Sequence, residues 1–148
     1  MAAGHVEQAA AQPPNCWERC LVVVMRVFAV GPMLAIVPAF MPRAWMAAIH
    51  EQLGLGPFPG GPIVEYLARS TSVFYALHGG LLLLISMDVR RFAPVLSFVI
   101  WTGLAAGVGL LVMDWMIGLP PPWSATEGPI VMALCGTLLF LKTKARVA

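Results

Sequence analysis

Four apolar stretches, each long enough or nearly long enough to cross a bilayer, constrain this chain more than any motif in it. A helix rises about 1.5 Å per residue, so about 20 apolar residues are needed to cross a hydrocarbon core roughly 30 Å thick. The first stretch runs from Leu21 to Met41 with Arg26 as its only charge, and the second from about Ile63 to Met87 with Glu65, Arg69 and His78 inside it. The third, Phe92 to Gly118, carries only Asp114. The fourth is uncharged only from Gly128 to Leu141, and it reaches full length by borrowing back to about Trp123, which brings in Glu127. The expected spans are therefore 19–41, 63–87, 92–118 and 123–141. With 59% hydrophobic and 11% charged residues, a soluble fold of 148 residues could not hide this much apolar surface. The expected fold class is all-α, an integral membrane four-helix bundle. It forms one domain over 17–148, preceded by a flexible cytoplasmic tail over 1–16.

Lys and Arg in short loops are retained on the cytoplasmic side. With four spans, the two termini and the turn between spans two and three share a side. That side carries Arg19, Arg90, Arg91, Lys142, Lys144 and Arg146, whereas the opposite side has only Arg43. Both termini are thus expected in the cytoplasm, and Trp17, Trp45, Trp115 and Trp123 fall near the inferred borders, where aromatic belts form. Residues 1–15 lack the basic region of a signal peptide, and the apolar run exceeds the usual hydrophobic segment, so span one reads as retained rather than cleaved. The net charge of +2 comes from loop residues and reflects topology. The expected partner is the lipid bilayer, not nucleic acid, with a membrane-protein partner or a second copy left open. Cys16 and Cys20 lie at the cytoplasmic edge and Cys135 within span four, so no disulfide framework is implied.

Within span one, Pro32 and Pro38 each remove a backbone donor and collide with the preceding turn, and with Gly31 they predict a kinked helix. Such a break is either satisfied by neighbouring helices or exposes backbone to a ligand. Over 42–53, Trp45, Ile49 and Leu53 share a face with Met46 beside them, while Arg43, His50 and Glu51 lie elsewhere. This predicts a short amphipathic helix at the interface, with Pro42 as its first residue and Gly54 just past its end. The segment Gly56 to Pro62 then reads as a turn-rich connector. In span three, Gly103 and Gly107 form a small-xxx-small pattern that lets two backbones approach closely. Gly79-Gly80 in span two and Gly136 in span four are the candidate facing surfaces, in an intramolecular bundle.

Ionisable residues inside a span are expensive to insert and are the default functional candidates. At roughly 100° per residue, Glu65 and Arg69 share a face and His78 falls near the opposite one. Asp114 shares the stripe of Gly103 and Gly107 and should face protein. These positions predict an outer-leaflet cluster of Glu65, Arg69 and Asp114, extended by Glu127 and Tyr66, in which the forked guanidinium serves two carboxylates. It is either an ion pair locking span two against span three or a ligand or proton site. Thr71, Tyr75 and His78 form a second polar stripe near the midplane, which suits either helix packing or a proton relay. A lone His without a second ligand at metal spacing makes no metal or haem site, so no metal or cofactor is expected. Arg26 can snorkel to the headgroups or pair with Asp88. No Walker, G-x-S-x-G or H-E-x-x-H pattern is present, so no catalytic residue is assigned.

The run Glu65-Tyr66-Leu67-Ala68-Arg69-Ser70, continuing through Tyr75-Ala76-Leu77-His78-Gly79-Gly80 to Asp88-Val89-Arg90-Arg91-Phe92, resembles small bacterial four-helix membrane proteins of uncharacterised function. The resemblance covers the middle of the chain and implies the same topology in a bacterial inner membrane, with no activity to carry over. The leading reading is a structural or accessory membrane protein. A small transporter or channel component using the Glu/Arg/Asp cluster is the alternative, and redox or cofactor binding through His78 and Tyr75 is a third.

Overall fold

The computed structural model describes residues 13–147, and the tail expected over 1–16 lies outside them as far as residue 12. The fold is all-α. Its elements in chain order are α1 (Cys16–Leu34), α2 (Ile36–Phe40), α3 (Arg43–Gln52), α4 (Pro62–Met87), α5 (Ala93–Ile117), α6 (Pro121–Ser124) and α7 (Glu127–Ala145).

Helix α1 begins earlier than expected because Asn15 caps it. The Asn15 side chain accepts from the Glu18 amide at 2.9 Å, so Cys16 is already helical rather than tail. Pro32 and Pro38 break span one as anticipated, ending α1 at Leu34 and leaving α2 as a displaced single turn. Helix α3 is the amphipathic segment, with Met46 buried and Trp45 exposed. Pro42 sits one position before its first residue rather than within it. Past its end Gly54 adopts φ +75°, which frees Gly54 N and Leu55 N to donate to Glu51 O and His50 O. The fourth span is interrupted where the sequence reads as continuous. Trp123 belongs to the separate turn α6, and α7 starts at Glu127 and carries Lys142 and Lys144 in its last helical turn.

Helices α1–α2, α4, α5 and α6–α7 supply four stretches long and apolar enough to cross a membrane. In space, α1 packs between α4 and α7, and α7 packs in turn on α5, whereas α4 and α5 barely touch apart from their connecting turn. The termini and that turn share one end, here called proximal. Asn15 Nδ2 donates to Ala145 O at 3.2 Å there, joining the start of α1 to the end of α7.

The core lies on the proximal side. Leu21, Met25 and Ala29 of α1 meet Leu82 and Ile85 of α4, Leu96 and Ile100 of α5, and Leu138 and Leu141 of α7. Towards the distal loops fewer large side chains are buried, and Phe40, Phe74, Val112 and Trp115 are exposed. The distal contact between α5 and α7 is made by backbone. A Cβ on Gly107 would lie 3.0 Å from Gly128 O, and one on Gly128 would lie 2.6 Å from Gly107 O. Gly103 meets the Cys135 side chain on the same helix pair. The small-residue stripe therefore faces span four, as an intramolecular contact, through Gly128 and not through Gly136, whose surroundings are open. Gly79 packs instead on Ala29 and Met33 of α1.

Candidate functional site

Arg69 projects from α4 near the distal end, and the end of α2 places acceptors in front of it. Helix α2 ends at Phe40, so its last carbonyls have no helical partner. Arg69 Nη1 donates to Ala39 O at 2.7 Å and Nη2 to Met41 O at 2.9 Å. The remaining contacts go to Glu65 one turn earlier, with Nε and Nη2 reaching Oε1 at 3.1 and 2.7 Å. Arg43 of α3 stands 3.9 Å from Glu65 Oε2. The guanidinium thus ties α4 to the end of α2 and, through Glu65, towards α3. It satisfies carbonyls that the end of α2 at Phe40 would otherwise leave bare in an apolar setting.

Half of the expected cluster is therefore present. Asp114 and Glu127 are not Arg69 partners, because α4 and α5 separate beyond their turn and Asp114 turns towards α7. The lock joins span two to span one, not to span three. Glu127 accepts from Trp123 Nε1 at 2.6 Å, and Tyr66 is exposed. The midplane stripe does not sit at the bundle centre either. Thr71, Tyr75 and His78 are all exposed. Tyr75 continues the stripe of Leu82 and Ser86, and its hydroxyl faces the Glu127 carboxylate at the start of α7.

At the proximal end the structure adds a pair that spacing alone did not single out. Glu18, buried in the first turn of α1, accepts from Arg90 Nη2 at 2.8 Å, linking α1 to the α4–α5 turn. The available signal was the Asn15-x-x-Glu18 spacing of a helix start, which marks Glu18 as a first-turn residue without naming its partner. Arg26 does not pair with Asp88. Its Nε donates to Ser86 Oγ at 3.3 Å, and Asp88 Oδ1 accepts from the Arg91 amide at 3.0 Å. Among the described residues the three cysteines are free thiols.

Comparison with protein-family models, with curated proteins and with solved structures returned no match. The architecture of four long apolar helices is compatible with a multi-pass membrane protein.

Proposed function

We propose that this chain is a multi-pass protein of a bacterial inner membrane, with both termini in the cytoplasm and a structural or accessory role. The observation that carries the reading is that four hydrogen bonds within the fold engage Arg69. A guanidinium has five N–H donors, and the four hydrogen bonds here go to backbone carbonyls and to a neighbouring carboxylate. Such a group holds a fold together and has little left to offer a ligand. The cytoplasmic placement is supported by the positive residues collected at the proximal end, Arg19, Arg90, Arg91, Lys142 and Lys144 among them.

Arg69→Ala is expected to destabilise the detergent-solubilised protein by about 2–3 kcal/mol, because two carbonyls and a carboxylate lose their donor together. Vesicles of the wild type are expected to show no solute flux above empty ones. A wild-type flux that Arg69→Ala abolishes at unchanged stability would reverse the reading in favour of a transporter. For orientation, a membrane-impermeant maleimide should leave Cys16 and Cys20, both exposed thiols, unlabelled in intact cells and label them after permeabilisation. Labelling in intact cells would invert the topology.

A further inference from the structure

Asp114 is 4% exposed, and its Oδ2 has no hydrogen-bond partner. It lies two turns beyond Gly107 on the face of α5 that meets α7, so the close glycine contact carries it into the interface. Beside it is a cavity of about 390 Å³ whose walls include Leu111, Trp115, Leu119, Pro121, Ser124 and Pro129, and the Ser124 hydroxyl makes no hydrogen bond to Oδ2. Both prolines lack an N–H and cannot serve the carboxylate. An ionised carboxylate in such a place is costly without a counter-charge. A partner that offsets this cost brings positive charge to the carboxylate and apolar surface to the walls.

We propose that this cavity binds a small organic ammonium ion, its charge on Asp114 and its apolar body against Leu111, Trp115 and Leu119. A hard metal ion suits the walls poorly, because calcium or magnesium seeks about six or more oxygens and this lining centres on one carboxylate. An acyl chain would fill the apolar volume but leave Oδ2 unpartnered. Trp115, 82% exposed, sets an aromatic ring at the rim, which favours an organic cation again. The site shares no residue with the Arg69 lock, so either can fail without the other.

The test uses the full chain in nanodiscs of zwitterionic phosphatidylcholine, where the lipid itself does not collect cations. Calorimetry compares benzyltrimethylammonium with its uncharged carbon analogue, neopentylbenzene. The wild type is expected to bind the cation saturably, and the isosteric Asp114→Asn to weaken it at least about tenfold while leaving the neutral analogue unchanged. Ala125→Trp places bulk in the cavity wall with the carboxylate intact and is expected to remove binding of both. Cation binding by Asp114→Asn at wild-type strength would overturn the proposal, as would no saturable binding by the wild type. Should Asp114→Asn not fold, Ala125→Trp decides alone, and undiminished cation affinity in it overturns the site.

Discussion

From the termini to mid-bundle, Leu21, Met25, Ile85, Leu96 and Ile100 are wholly buried, whereas towards the distal loops the buried positions include Ala39, Gly107, Gly128 and Asp114. Large side chains interdigitate at one end, while the other is held by backbone approach and by polar groups that reach carbonyls. In water the open half would be untenable, with Phe40 80% exposed. In a bilayer it costs little, because lipid tails are as apolar as the residues they touch and packing rather than burial from water drives helix association. The proximal half can therefore supply rigidity and leave the distal half free to keep a carboxylate beside a cavity.

The difference can be broken by substitution, and the largest effect should come from the proximal core. Leu96→Ala, at a wholly buried position, is expected to cost about 3 kcal/mol in detergent unfolding, from lost contacts and the cavity left behind. A cost below about 0.5 kcal/mol would mean that the proximal packing is not what holds the bundle. Glu18→Gln should cost about 1–2 kcal/mol, since it removes a charge from a buried pair but keeps a hydrogen-bond acceptor for Arg90. Added salt should leave that loss largely in place, as a buried pair is weakly screened, and a loss that vanishes in salt would mark the pair as superficial. The smallest effect is expected from Phe40→Ala, within about 0.5 kcal/mol, because the ring touches lipid or detergent in either state. A loss as large as that of Leu96→Ala would show that the distal half closes against something in solution.

Particular residues show how far the sequence could be read. The kink at Pro32 and Pro38 was legible because proline acts on its own backbone, and so was the end of α3 at Gly54, where the left-handed turn needs a residue without Cβ. Glu65 and Arg69 were legible as a pair because one helical turn separates them. The partner assigned to them was wrong. Placing Asp114 beside Arg69 assumed that consecutive spans pack side by side, and α4 and α5 do not. Span four was extended back to Trp123 to reach crossing length, which it does, but length alone does not register the break between Ser124 and Glu127. Thr71, Tyr75 and His78 were placed centrally by depth alone, which says nothing about how exposed a side chain is at that depth.

By itself the sequence determined the all-α class, the four apolar segments, the break in span one, the end of α3 at Gly54, and the small stripe at Gly103 and Gly107, since each follows from properties of residues close along the chain. Only the tertiary structure decided which helix lies beside which. That choice gave Arg69 the carbonyls of Ala39 and Met41, joined Glu18 to Arg90, and buried Asp114 without a partner. The physical reason is that apolar helices meeting lipid on most faces carry little periodic pattern to mark their neighbours. Their order depends on close steric fit and on a few polar contacts between residues far apart in the chain.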